Sequence, residues 1–298
     1  MIKDIWRVGL VRAPVEALLS PGGLNQLPVS WLPSPGPLRF DADPFGVWRG
    51  DRLYVFVETY DYRDRVGAID VLTFDRDLRF LERRPALREP WHLSYPFVFE
   101  AEGETWMLPE AHRSGKLTLY RCEAFPDRWA PHTTLELDAV AIDATPLFHD
   151  GRWWLFYTPA TTKAAKVSEL RAAYASSITG PWTSHPDNPL WFDASKSRPG
   201  GRPIVKDGIV TLFMQDCRTT YGGAMRPLRL TTLTPERIEA EAGEVIFPPP
   251  GFAPYDKGFH TVSSAGAVTL IDAKRFLVSP ASLWLDLRRA LLKLSRRG

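Results

Sequence analysis

The chain reads as all-β, a five-bladed β-propeller, on three observations. A strand–turn–strand unit returns five times, its turns carry Gly or Asp, and an orphan strand stands at the N-terminus. The units are DADPFGVWRGDRLYVFVE (41–58), SYPFVFEAEGETWMLPE (94–110), DATPLFHDGRWWLFYT (143–158), GGRPIVKDGIVTLFMQ (200–215) and, most loosely, TVSSAGAVTLIDAKRFLVS (261–279). Their turns fall near Asp51, Gly103, Gly151, Gly208 and Ala273, about 50 to 65 residues apart, a spacing that suits propeller blades.

The segments after each unit extend it to a four-stranded meander. GAIDVLTFD (67–75) and FLERRPAL (80–87) follow the first, and LTLYRCEAF (117–125) and HTTLELD (132–138) the second. LRAAYASS (170–177) and a short edge within ITGPWTSHP (178–186) follow the third; MRPLRLTTL (225–233) and IEAEAGEVI (238–246) follow the fourth. The fifth lacks such followers, so IWRVGLVRA (5–13) is expected to complete it, closing the ring and removing unpaired edges.

Residues 1–280 thus form the propeller and 281–298 a separate C-terminal helix. In that tail Trp284, Leu285, Leu287, Leu291, Leu292 and Leu294 form an apolar side. Arg288, Arg289, Lys293, Arg296 and Arg297 supply the charge. An amphipathic basic helix of this kind either lies on an anionic membrane or docks on the propeller rim.

Composition agrees. Charged residues make up 24% of the 298 and hydrophobic ones 44%, which suits a folded globule rather than a disordered chain. Eleven Trp and 27 Pro favour packed pleated surfaces and loop-bounded strands. A formal charge of +2 makes no electrostatic case for nucleic acid. Cys122 and Cys217 are too few for a disulfide framework. The N-terminus shows no apolar leader core, and no run of about 18 apolar residues occurs, so a cytoplasmic address is expected.

In a propeller the first strand of each blade lines the channel, so polar residues at those strand starts converge. Here they are Asp41 and Asp43, His92, Ser94 and Tyr95, Asp143, Arg198 and Arg202, and His260 and Thr261. Seven residues after the first four turns stand Glu58, Glu110, Thr158 and Gln215, with Asp216 next. Tyr221 follows in the same loop. Glycosidic chemistry needs two carboxyls across the anomeric centre, and Asp43, Glu110 and Asp143 come from three blades. The same Asp residues would equally serve as turn caps.

Arg198 and Arg202, in the Gly-rich SRPGGRP, match a phosphate or carboxylate, or else neutralise a buried Asp. His92 and His260 are candidate sugar partners. Trp91 is a candidate stacking platform, whereas Trp106, Trp153 and Trp154 are expected to pack between blades. No metal-ligand spacing is visible and no cofactor is expected, although gathered carboxylates would tolerate an axial ion.

The segment Asp41-Ala-Asp-Pro-Phe45 resembles the Asp-Pro signature of five-bladed propeller glycosidases such as arabinanases, β-xylosidases and invertases, and Asp143-Ala-Thr145 is similar to their second carboxylate motif. EPWHLSYPFVFE (89–100) more closely resembles the N-terminal domain of plant glucosamine inositolphosphorylceramide transferases and its stand-alone bacterial relatives. LYRCEAFP (119–126), GRWWLFYT (151–158), the GPW–HP–NP run (180–189), QDCRTTYGG (215–223) and HTVSSAG (260–266) support that likeness over nearly all of the chain except the tail. The resemblance implies Asp43 as base or nucleophile and Asp143 as the residue that tunes or orients it. Glycosidases of this type carry an acid Glu on a later blade, where this chain has Arg198 and Arg202. Glu110 is our own assignment for the acid. In the plant proteins the transferase chemistry belongs to a C-terminal domain, so the resemblance leaves a propeller that either binds or catalyses.

Three functions follow: an enzyme that makes or breaks glycosidic bonds in glycan or glycolipid assembly, a non-catalytic module for a glycan or phosphosugar, or a protein-interaction propeller. The polar axis counts against the last.

Overall fold

The computed structural model describes residues 2–20 and 22–295, with side chains through Arg289. The chain forms five antiparallel sheets, each beginning with an inner strand and running outward in order. Blade one comprises Arg39–Arg49, Arg52–Asp61, Val66–Phe74 and Phe80–Leu87. Blade two comprises Ser94–Ala101, Glu104–Glu110, Thr118–Ala124 and Arg128–Thr134. Blade three is built on Ala141–His149, Arg152–Pro159 and Glu169–Ala175, and blade four on Arg198–Pro199, Ile209–Asp216, Ala224–Leu233 and Ile238–Ala242.

Blade five closes the ring as the orphan strand predicts. Its inner strands Val262–Ala265 and Val268–Leu277 receive Lys3–Val11, paired from Lys3↔Leu277 to Val11↔Thr269. Two details differ. The outermost strand is Val29–Trp31, whose three residues are too few to show periodicity. The turn lies at Gly266, not Ala273, which sits mid-strand opposite Arg7. Asp272 and Lys274 make that segment resemble a turn, yet both are fully buried and partnered. Their polarity serves the ring axis rather than a bend.

Alternation explains the packing between blades, because both faces of an inner sheet are covered. Leu53, Val55 and Val57 face Val8, Leu10 and Leu270 of blade five. Phe56 and Val71 face Leu93, Val98 and Met107 of blade two. Trp106 and Trp153 fill the gap between blades two and three, and Trp154 that between three and four, as expected. Where blade four meets blade five, a Cβ on Gly201 would stand 1.7 Å from the Val262 carbonyl oxygen, so only glycine fits.

The C-terminal helix, Pro280–Ser295, starts with Pro at its first turn and a reciprocal Ser279–Ser282 cap. It docks on the rim. Lys3 Nζ pairs with Asp286 at 2.9 Å, Leu285 is buried, and Arg289 donates to the carbonyls of Tyr62 and Arg63. Leu283, Trp284 and Leu287 remain exposed. The predicted positions from Leu291 to Arg297 lie outside the described side chains. Among the described residues no helix is long and apolar enough to cross a membrane.

Candidate active site

The inner strands of blades one, two and three each carry one extra residue, between Ala42 and Phe45, Ser94 and Phe97, and Ile142 and Thr145. At the bulges Asp43, Tyr95 and Asp143 have φ of 50°, 45° and 49°. Three non-glycine residues held left-handed at one repeat position mark a local strain that the repeat maintains, a pattern common near active sites. The bulges bring Asp43 and Asp143 into the polar cluster at the axis.

Asp43 accepts the Tyr95 N–H at 3.2 Å and the Thr261 hydroxyl at 2.7 Å, with His260 Nε2 3.6 Å away. Burial raises its pKa, against the opposing pull of His260. Asp272 ties the seam of the ring. It accepts the backbone N–H groups of Asp43, His260 and Thr261 at 3.0, 3.2 and 3.0 Å, and His260 Nδ1 at 2.8 Å. Burial works against a charged His260, but the Asp272 and Asp43 carboxylates outweigh it and raise the pKa. Trp6 stacks on the imidazole, ring centres 3.7 Å apart.

Asp143 accepts Arg198 Nε at 2.7 Å and Gln215 Nε2 at 3.0 Å. Burial lifts its pKa to about 6 even with Arg198 pulling the other way. Arg198 therefore neutralises a buried Asp, one of the two roles its sequence context allows. Glu110 accepts the Ser94 hydroxyl at 2.8 Å and both the backbone N–H and Nδ1 of His112 at 2.6 Å. Burial alone would raise Glu110; the His112 bonds reverse that and hold it near 2, ionised. Glu58 differs. Burial, then the charges of Asp43, Glu110 and Asp143, push its pKa well up.

These groups border a cavity of about 280 Å³ lined by Asp43, Glu58, His92, Glu110, Arg198 and His260. Its apolar wall is Trp6, Phe40, Tyr60, Tyr62 and Tyr221. Phe40 and Tyr60 stack at 5.0 Å between ring centres, which suits the flat face of a sugar. Asp143, Gln215 and Tyr95 stand one layer behind. The Tyr95 hydroxyl lies 2.8 Å from Thr145 Oγ1 and accepts the Gly201 N–H.

The remaining sequence candidates do not line this cavity. Asp41 is bound to Arg83, and Asp216 to Arg218. Arg202 lies over Phe97 and donates to the Val98 carbonyl. Trp91 packs with Phe56 and Leu87 between blades. Conversely, Trp6, Tyr60, Tyr62, His112, Lys166 and Asp272 were not legible as site residues. Trp6 sits on the strand already read as ring closure, and Asp272 in a stretch read as a turn.

A larger groove, about 880 Å³, runs off the axis between residues 18–25 and 241–250; its charged lining residues Arg229, Glu241 and Glu244 are exposed. It lacks a buried polar cluster. Asp43, His260 and Asp272 offer ligand atoms within 4.8 Å of one another, close enough for an ion. The N–H donors on Asp272 already satisfy that carboxylate, so the cluster closes as hydrogen bonds.

Among solved structures, the fold resembles a family 117 glycoside hydrolase of Zobellia galactanivorans (TM-score 0.56, 13% identity, 79% of this chain and 85% of that one). It is also similar to a glycosyl hydrolase from Bacteroides ovatus (TM-score 0.56, 12% identity, 78% and 83%) and an exo-β-1,3-galactanase from Clostridium thermocellum (TM-score 0.53, 12% identity, 72% and 54%). At such identities the likeness is one of fold. In sequence, the chain is 38% identical over 208 residues to glucosamine inositolphosphorylceramide transferase 1 of Oryza sativa subsp. indica and 36% identical over 205 residues to that of Arabidopsis thaliana. The first match takes in 68% of this chain but 28% of the rice protein; the second takes in 67% and 26%. A family model described as glucosamine inositolphosphorylceramide transferase 1, N-terminal, matches residues 31–247. That match spans the four blades from which Asp43, Glu58, Glu110, Asp143 and Arg198 arise, and the chain belongs to this family.

Proposed function

We propose that the axial pocket makes or breaks a glycosidic bond, in the assembly of a glycan or glycolipid. One observation carries the reading: Asp43 and Glu58 of blade one and Glu110 of blade two meet in a cavity with stacked aromatic rings in its wall, and Asp143 of blade three stands one layer behind on Arg198. Asp43 serves as base or nucleophile, and Asp143, neutralised by Arg198, orients and tunes it. The names of the curated relatives and of the solved structures concern carbohydrate chemistry, which supports the substrate class. Binding without turnover is the second reading, favoured because blade four presents Arg198 rather than an acid. Native mass spectrometry against nucleotide sugars, sugar phosphates and simple glycosides separates the two. The expected result is a bound ligand and a product; a ligand without product supports the second reading, and no ligand defeats both.

The helix bears on the acceptor. Arg289 holds the carbonyl of Tyr62, a pocket residue, so the exposed Leu283, Trp284 and Leu287 sit on the same rim as the cavity. We propose that this face lies on an anionic membrane and presents the pocket to a lipid-borne sugar. The protein should co-sediment with phosphatidylserine vesicles and not with neutral ones, and Trp284→Ser with Leu287→Ser should lower that binding at least about tenfold. Equal sedimentation of the variant rules the helix out.

A further inference from the structure

Hydrogen bonding divides the buried carboxyls at and just behind the pocket wall unequally. Asp43, Glu110 and Asp143 each accept at least two donors from the protein. Glu58 accepts none among the described residues, although it is 6% exposed and borders the cavity. Its nearest cationic candidate, His92 Nε2, is 3.6 Å from Oε1, beyond hydrogen-bond length. A buried carboxyl without donors is held in its neutral form.

His92 reinforces this. The Gly67 N–H donates to His92 Nδ1 at 2.8 Å, so the single ring proton sits on Nε2, facing Glu58. Burial pushes the His92 pKa down to about 4, so the ring offers an N–H dipole instead of a full charge. The glycine is required here, since a Cβ on Gly67 would come within 2.6 Å of Glu58 Oε1 and 2.7 Å of His92 Cε1.

Taking the pocket as a site of glycosidic chemistry, as proposed above, we infer that Glu58 is its proton donor and that the substrate is a glycoside whose leaving oxygen needs protonation. As the anomeric C–O bond breaks, its electron pair stays on the leaving oxygen, which takes the Glu58 proton. In a single displacement the incoming water or alcohol forms the new C–O bond and loses its proton to Asp43, and Glu58, now a carboxylate steadied by the His92 Nε2–H, recovers its proton through solvent. After an Asp43-bound intermediate, the incoming oxygen displaces the Asp43 carboxylate and gives its proton to Glu58, which restores the acid. Glu110 cannot fill this role because His112 and Ser94 keep it ionised. A nucleotide leaving group needs no such acid, and Arg198 is already committed to Asp143.

Two measurements on the full chain test the inference. Isotope-edited infrared spectra at neutral pH should show a protonated carboxyl band that Glu58→Gln removes. On a panel of methyl and p-nitrophenyl glycosides, Glu58→Gln should lose about 10²–10⁴-fold on the methyl glycosides and less than about tenfold on the p-nitrophenyl ones. Asp43→Asn should lose both. An ionised Glu58 in active protein, or equal losses on both leaving groups, overturns the acid assignment alone. A wild type that turns over neither panel while the protonated band persists overturns the enzymatic reading, and the acid role with it.

Discussion

With the axial pocket acting on a glycosidic bond as proposed, replacing Asp43 by Asn is expected to lower turnover by about 10²–10⁴-fold while the melting temperature shifts by no more than about 3 °C. The chemical loss follows because an amide neither accepts a proton nor attacks an anomeric carbon. The structural tolerance follows from the partners of Asp43. The amide oxygen still accepts the Tyr95 N–H, and the Thr261 hydroxyl can turn to accept the new NH₂. The substitution also removes a charge that burial disfavours. Activity assay and thermal melt on the same preparation check both halves. Full activity in Asp43→Asn would remove the carboxylate from the mechanism, and a collapsed melt would make it a structural residue.

Asp272→Ala should have the largest effect on stability, a loss of about 3–5 kcal/mol in urea denaturation. Removing this carboxylate strands three buried N–H groups and the imidazole of His260 at the seam between blades one and five. The loss should depend on pH. His260 has its folded pKa raised above the ordinary 6.5, so its contribution is fully present below 6.5 and fades as pH rises through the folded value. In Asp272→Ala that His260-linked fall with rising pH should flatten. A cost below about 1 kcal/mol would show that Asp272 does not hold the ring closed.

Much of the fold is legible from local pattern. Apolar alternation and the Gly turns at Gly103, Gly151 and Gly208 place the blades, since the left-handed turn conformation is nearly a property of glycine. The strand at the N-terminus could be assigned to blade five because the fifth unit lacks following strands of its own. The site is legible where a polar residue interrupts or borders the first two strands of a blade, as at Asp43, Glu58, Glu110 and Asp143. Asp272 escaped because a buried carboxylate beside a buried lysine has the composition of a turn. Arg202 and Trp91 misled in the other direction: both sit near inner strands, yet each turns into packing between blades.

What the residues dictate locally, then, is the number of blades, their order and which strand positions carry carboxyls, because strand period and turn geometry act over a few residues. Which of those carboxyls keeps its proton belongs to the folded ring. His112 hydrogen-bonds Glu110 from the next turn, Arg198 reaches Asp143 from another blade, and Glu58 is left without a donor among the described residues. Protonation answers to burial and to charges several ångströms away, and closing the ring is what brings those charges together.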